Sequence, residues 1–179
     1  AVVLPLEVHS LFGVSDSKVL SASQRCHLFC CIHKTAKAVG VGFATPGEID
    51  EFNIHRATFI AMERAVKALD KAGPHTLLVD GKFTIPGTSY KQFAIKGGDG
   101  LSLSIAAASI VAKVTRDWFM TLMDRSFPIY NFAENKGYAT CEHLEALEKY
   151  GPCHLHRKSF SPLKEARYKG GRLFDPKTG

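Results

Sequence analysis

LSLSIAAASIVAKVTRD, residues 101–117, covers most of a long helix that the sequence predicts from Leu103 to Met123. Its middle is a patch of small side chains, Ala106 to Ser109, which would let the helix sit close to a sheet. A strand for such a sheet is predicted at Leu77-Leu78-Val79, because short continuous apolar runs are typical of buried strands. The sequence therefore predicts a long helix packed on a sheet.

Strands and helices alternate along the rest of the chain, without an internal repeat or a low-complexity segment. Ser21 is a good helix N-cap, and Gln24 completes a capping-box pattern. This order predicts an α/β sheet flanked by helices. The predicted elements are a strand end at Val2 to Leu4, a loop at Val14 to Leu20, a helix from Ser21 to Lys34, a strand at Ala36 to Ala44, a helix from Pro46 to Ala72, strands at Leu77 to Val79 and Gln92 to Lys96, a loop at Phe127 to Gly137, a helix from Cys141 to Lys149 capped by Thr140, and a helical turn near Lys164 to Tyr168.

Length and composition limit the class of protein. The chain has 179 residues, of which 45% are hydrophobic, enough for one domain with a sizeable core. The longest apolar run, Ile105 to Ala112, is interrupted by Ser109 and is too short to span a membrane, and the chain does not open with a signal-peptide pattern. We expect a single domain over 1–179 in a cytoplasmic protein. Because the chain opens in an apolar run without Met, we also expect residues before Ala1.

Positive charge is concentrated near the C-terminus. Between His154 and Arg172 there are six Lys or Arg residues against one acid, Glu165, in a chain of net charge +6. Such a segment suits contact with a phosphate backbone, but a solvated tail that aids solubility has the same composition. From charge alone both interpretations stay open.

The cysteines do not form a disulfide framework. There are five, an odd number, and reduced thiols in a cytosolic protein are the simplest interpretation. Cys153-His154-Leu155-His156 resembles half of a zinc site, but a second ligand pair at suitable spacing is not evident. We therefore do not expect zinc.

Two acids are candidates for chemistry. Asp80 ends the apolar strand at Leu77 to Val79, where α/β folds place their sites, although a turn aspartate before Gly81 is common. Asp117 lies on the long helix and shares a face with Lys113, so an intrahelical ion pair competes with a metal-binding role. Two carboxylates from different elements could share Mg²⁺ or Mn²⁺, which prefer oxygen ligands.

Two loops could contact a substrate. Asp16-Ser17-Lys18 would bring Lys18 to a phosphate, although surface loops often have this composition. Tyr138, between Gly137 and Ala139, could stack on a sugar or base, but a ring packed on the protein surface is an equal alternative.

The connected motifs resemble bacterial ribonuclease HII, a type 2 ribonuclease H family. The helix motif at 101–117 closely resembles that family's, and four further motifs occur in the expected order. Type III enzymes differ in the helix motif, so type II fits better. The four are Asp16-Ser17-Lys18-Val19-Leu20-Ser21, Leu78-Val79-Asp80-Gly81, Asn135-Lys136-Gly137-Tyr138-Ala139-Thr140 with Glu142-His143-Leu144, and His156-Arg157-Lys158-Ser159-Phe160-Ser161-Pro162.

The resemblance implies a ribonuclease H-like α/β fold, with a mixed central sheet and a small, basic, helical or irregular C-terminal segment from about 140 to 179. It also implies an endonuclease that hydrolyses the RNA strand of RNA–DNA hybrids. Such enzymes cut 5′ of ribonucleotides embedded in duplex DNA by two-metal catalysis, leaving 3′-hydroxyl and 5′-phosphate ends. The expected ions are two Mn²⁺ or Mg²⁺, the expected partners are these nucleic acids, and we expect a monomer.

The resemblance also assigns residues. Asp80 and Asp117 match the third and fourth of four metal-binding catalytic acids. Substrate binding would fall to five residues. The first two acids form an Asp-Glu pair on an opening strand that the sequence lacks, since Asp50-Glu51 is its only such pair and matches nothing. If that strand is truly absent, the alternative is a catalytically incomplete hybrid-binding domain. The five substrate-binding residues are Ser17, Lys18, Tyr138, Arg157 and Lys158.

Overall fold

The computed structural model describes residues 1–8, 20–69 and 74–164. The predicted loop at 14–20 and the predicted turn at 164–168 fall almost entirely outside these residues. The helices and strands in chain order are β1 (Val2–Val3), α1 (Ala22–Thr35), β2 (Ala38–Val39), α2 (Pro46–Lys67), β3 (Thr76–Asp80), β4 (Lys91–Ile95), α3 (Gly98–Leu101), α4 (Leu103–Asp124), a 3₁₀ helix (Pro128–Tyr130), α5 (Phe132–Asn135) and α6 (Cys141–Tyr150).

The described strands form one antiparallel and one parallel pair. β1 pairs with β2, with Val2 opposite Val39. β3 runs parallel to β4, with Asp80 opposite Ile95 at the carboxyl end of the pair. Strand pairs of both orientations combined with helices confirm the predicted α/β class.

The chain divides into two compact units. The first holds Ala1–Phe43 and Thr58–Val114, and the second holds Ala44–Ala57 and the chain from Thr115 onwards. Whether the chain folds as the predicted single domain stays a prediction. None of the helices in the described ranges is long and apolar enough to cross a membrane.

The main hydrophobic core of the first unit includes the N-terminal half of α4. Ala107 and Ile110 are fully buried and pack in one cluster with Leu28 and Ile32 of α1. Partly buried residues of β1 and β2, such as Val39, pack against the same cluster. The small side chains of α4 thus allow the close packing that the sequence predicts.

Both capping predictions for the shorter helices are confirmed. The Ser21 side chain accepts from the Gln24 N–H, and the Gln24 side chain accepts from the Ser21 N–H, which completes the capping box of α1. Thr140 accepts from the His143 N–H at the start of α6. Each cap satisfies backbone donors that a helix end otherwise leaves unpaired.

Two predicted elements were too long. The strand predicted for 36–44 is reduced to Ala38–Val39, because Gly40 and Gly42 lie directly against α2. A Cβ atom on either glycine would come within 2.1 Å of a carbonyl oxygen of that helix. The helix predicted to reach Ala72 ends at Lys67, and its path breaks at Asn53, which has a φ of 67°.

The loop predicted for 127–137 was wrong in part. It contains the 3₁₀ helix and α5, and its aromatic residues Phe127, Tyr130 and Phe132 are buried in the core of the second unit. The Tyr130 hydroxyl donates to the Gly151 carbonyl at 2.7 Å. Burial of these rings offsets the weak helix-forming tendency of so short a segment.

Candidate functional site

Asp80 lies at the carboxyl end of β3 in the first unit, as predicted, and its side chain is exposed. Its Oδ1 accepts a hydrogen bond of 2.9 Å from the Gly98 N–H at the start of α3. A Cβ atom at position 98 would lie 2.5 Å from the Ile105 side chain, so a larger residue there would force that side chain to move. The bond orients the carboxylate, and within the described part of the chain its Oδ2 has no hydrogen-bond partner.

This carboxylate suits a hard divalent cation, because it is negative, exposed and oriented by the backbone. A complete metal site needs further ligands beside this carboxylate. Among the described residues there is no group of three or more His, Cys, Asp or Glu side chains arranged to hold a metal ion. Asp80 fits as one ligand of such an ion.

Asp117 lies on α4 in the second unit and is half-buried. Its carbonyl accepts from the Thr121 hydroxyl one turn later at 3.0 Å. The metal-binding role and the ion pair with Lys113 both stay predictions, as does the convergence of Asp117 with Asp80 from the other unit.

The loop that carries Tyr138 is fastened to α4 through Lys136. The Arg116 guanidinium donates to the Lys136 carbonyl at 3.3 Å. The Lys136 ammonium donates to the Thr121 hydroxyl at 2.8 Å and also to the Ala133 carbonyl. The residues that flank Asp117 on the helix therefore hold the loop in the same unit.

The buried side chain of Asn135 also holds this loop. The Asn135 side chain accepts from the Gly137 N–H at 2.7 Å and donates to the Tyr130 carbonyl at 2.6 Å. Lys136 and Gly137 both have positive φ angles, 51° and 80°, which turn the chain sharply. Tyr138 follows that turn and is 61% exposed. The turn therefore presents Tyr138 at the surface.

Arg157 and Lys158 lie in a segment anchored by Asp50. One carboxylate oxygen of Asp50 accepts from the Lys158 N–H at 2.9 Å. The other accepts from the N–H and the hydroxyl of Ser159 at 2.9 and 2.6 Å. Burial alone would raise the pKa of Asp50, but these hydrogen bonds and the Lys158 charge outweigh it and lower the pKa. The anchor is thus charged at neutral pH.

Two arginines in this unit, Arg116 and Arg157, are close enough for their charges to interact. The pKa of Arg157 is lowered first by burial and next by the charge of Arg116, while Asp50 opposes the shift. The Arg157 guanidinium also lies 3.9 Å from the centre of the Phe160 ring, which it covers. Neighbouring guanidinium groups repel each other, so an anion such as a phosphate would be attracted between them.

The structure thus brings together Tyr138 and the Arg157–Lys158 pair in one unit with Arg116. Ser17 and Lys18, with Asp16, lie outside the described residues, and their roles stay predictions. Sequence reasoning missed Asp50, which it set aside as a helix start. No local pattern signals this role, because the bond spans 108 residues.

The fold and these groups define an α/β protein with an acid at a strand end and a cationic surface. A family described as Ribonuclease HII matches residues 1–163. Ribonuclease HII of Geobacter metallireducens is 52% identical over 165 residues, which cover 92% of this chain and 76% of that protein. The Clostridioides difficile enzyme is 53% identical over 148 residues, 83% of this chain and 57% of that protein. The chain belongs to the ribonuclease HII family, whose members are metal-dependent endoribonucleases.

Solved structures agree on the fold. Ribonuclease H2 from Pyrococcus horikoshii superposes with a TM-score of 0.66 and 25% identity, covering 86% of this chain and 79% of its own. Ribonuclease HII from Archaeoglobus fulgidus, solved in complex with PCNA, has a TM-score of 0.61 at 22% identity, covering 90% and 81%. The predicted ribonuclease H-like fold is therefore confirmed.

Proposed function

We propose that this chain is the nuclease part of an enzyme that hydrolyses the RNA strand of RNA–DNA hybrids. The enzyme would also cut 5′ of ribonucleotides embedded in duplex DNA, leaving 3′-hydroxyl and 5′-phosphate ends. The observation that carries the proposal is the family match over residues 1–163. The oriented carboxylate of Asp80 and the interacting positive charges of Arg116 and Arg157 support it.

The acids would hold two divalent ions, Mn²⁺ or Mg²⁺. A related protein, Bst-RNase HIII, was solved in complex with Mn²⁺ and shares the fold at a TM-score of 0.55 and 17% identity, covering 86% of this chain and 57% of its own. Bound ions of this type lower the pKa of an attacking water and stabilise a leaving oxygen. Asp80 and Asp117 would supply two of the four acids.

The other residues would bind and orient the nucleic acid. Arg157 and Lys158, fixed by Asp50, would lie along the phosphate backbone, with Ser17 and Lys18 near further phosphates. Tyr138 would pack on the sugar of the ribonucleotide, where the 2′-hydroxyl distinguishes RNA from DNA. We further propose that the protein acts as a monomer in the cytoplasm, as one domain with its substrate-binding segment from about 140 to 179.

A second candidate is a hybrid-binding domain that does not cut. It would apply if the first two metal-binding acids were truly missing from the protein. An Asp-Glu pair that precedes Ala1 in the protein would remove this condition.

A cleavage assay on the protein as its gene encodes it separates the two candidates. The substrate is a DNA duplex with one ribonucleotide, incubated with Mn²⁺ or Mg²⁺, and an all-DNA duplex is the control. The enzyme predicts a single cut on the 5′ side of the ribonucleotide and none in the control. Binding of the ribonucleotide duplex without cleavage in either metal would instead support the binding domain.

A further inference from the structure

His143 and His156 join Tyr138 to the start of the basic segment through a row of hydrogen bonds. The His143 Nδ1 lies 2.8 Å from the Tyr138 carbonyl oxygen. Its Nε2 lies 3.0 Å from the His156 Nε2. On its far side, the His156 Nδ1 lies 3.0 Å from the Cys153 backbone nitrogen and 3.2 Å from the Cys153 sulfur. All four residues belong to the second unit.

These contacts allow only one arrangement of hydrogens on two neutral rings. A carbonyl oxygen only accepts, so the His143 Nδ1 must carry a hydrogen and its Nε2 must accept. The His156 Nε2 must then carry a hydrogen, which leaves the single lone pair of its Nδ1 to accept from the Cys153 N–H at 3.0 Å. The Cys153 sulfur and carbonyl oxygen lie near the same nitrogen, at 3.2 and 3.3 Å. Every bond in the row therefore points the same way, from Cys153 through His156 and His143 to Tyr138.

The surroundings keep the His156 ring neutral. His143 is 5% exposed, and the Tyr130 and Phe132 rings pack against both histidines at centroid distances between 4.8 and 6.1 Å. Burial, and next the nearby His143, lower the pKa of His156 to about 4. Burial also raises the pKa of the Cys153 thiol, which therefore keeps its hydrogen.

A shared metal does not explain the cluster. Cys153 lies on the Nδ1 side of the His156 ring, and His143 lies on the Nε2 side. One cation bound at either nitrogen could not reach ligands on both sides of the ring, since zinc–ligand distances are only about 2.0–2.3 Å. The row of hydrogen bonds accounts for all three residues without an ion.

The row of hydrogen bonds ends at Tyr138 and holds its backbone. Its carbonyl accepts from the His143 ring and from the Thr140 N–H at 2.9 Å, so both lone pairs are engaged. The preceding N–H, of Gly137, is held by Asn135. The backbone is thus fixed on both sides while the side chain is exposed. At the other end of the row, His156 directly precedes Arg157 in the chain.

We propose that His143 and His156 are positioning residues that set the Tyr138 loop and the start of the basic segment relative to each other for substrate binding. The inference rests on the proposed function for its substrate, but not for the hydrogen-bond row itself. Neither histidine would touch the nucleic acid. They act through the Tyr138 backbone and through Arg157.

The activity test compares two substitutions of His143 in the whole protein. His143→Asn places an amide where Nδ1 lies and can still donate to the Tyr138 carbonyl. His143→Gln places its amide near Nε2 and gives up that bond. We expect His143→Gln to lower kcat/KM on the single-ribonucleotide duplex about 10-fold, mainly by raising KM, and His143→Asn to lose much less.

A Tyr138→Ala background shows whether the histidine works through the tyrosine. In that background, His143→Gln should cost less than about 2-fold, because the group that it positions is gone. An equal loss in both backgrounds would overturn the proposal, since it would mean a general structural effect. Equal losses for His143→Asn and His143→Gln would overturn it as well.

Nuclear magnetic resonance tests the row without any substrate. Long-range proton–nitrogen correlations should find hydrogen on Nδ1 of His143 and on Nε2 of His156 at neutral pH. The opposite tautomers, or a spectrum in which added Zn²⁺ binds both rings, would overturn the proposal. If the protein failed to cut any ribonucleotide duplex, the proposed function would fail while this test still decided the positioning of the loop.

Discussion

Asp80 in the first unit and Tyr138 in the second are both presented at the surface, but they are held in different ways. Asp80 is set by its place at the end of β3 and by one backbone N–H, that of Gly98. Tyr138 depends on side chains from other elements, among them Arg116 of α4 and His143 of α6. The difference shows that a strand end can place a residue almost alone, whereas a loop needs a network.

The largest expected effect is at the strand end. Asp80→Asn keeps the oxygen that accepts from Gly98 but removes the charge, so folding should persist while metal binding fails. A loss of about 4 kcal/mol of transition-state stabilisation would lower cleavage about 1000-fold. The measurement is the single-turnover rate on the ribonucleotide duplex with Mn²⁺. Glu145→Gln, which changes an exposed acid on α6, is the control, and full activity of Asp80→Asn would remove Asp80 from the metal site.

The network in the second unit should make stability depend on pH. Burial lowers the pKa of His156 from 6.5 to about 4. Between these values the unfolded chain binds a proton that the folded chain does not, so stability is highest above pH 6.5 and falls as the pH drops. The loss approaches about 3 kcal/mol near pH 4.

Denaturant unfolding at pH 7 and at pH 4.5 measures this loss. His156→Gln should flatten the dependence between the two pH values, whereas His27→Gln, on the exposed side of α1, should leave it as in the unsubstituted protein. If His156→Gln lost as much stability on acidification as the unsubstituted protein, the ring would not be the group responsible.

The smallest expected effect is at the anchor of the basic segment. Asp50→Asn loses charge and weakens the bonds to Lys158 and Ser159, so Arg157 would be held less firmly. We expect the Kd for a hybrid duplex, measured without divalent ions, to rise about 10-fold, the equivalent of one lost charged hydrogen bond. Glu51→Gln changes the adjacent exposed acid and should have little effect. An unchanged Kd for Asp50→Asn would show that the basic segment does not need its anchor.

Most of the secondary structure could be predicted because its signals are local. The capping residues Ser21 and Thr140, the apolar run before Asp80 and the helical spacing in α4 each lie within a few residues of their effect. The failures had non-local causes. The strand at 36–44 was cut short by the contact of Gly40 and Gly42 with α2, and the loop at 127–137 became helical through aromatic burial.

The residues of the candidate site likewise separate into those with local signals and those that depend on non-local contacts. The sequence by itself determined which residues are candidates, because a motif fixes residue types at fixed spacings, and it placed Asp80 at the end of its strand. Only the tertiary structure decided that Asp50 holds Ser159 across 109 residues and that His143 meets His156. Such contacts depend on how whole elements pack, and no spacing within one element encodes them.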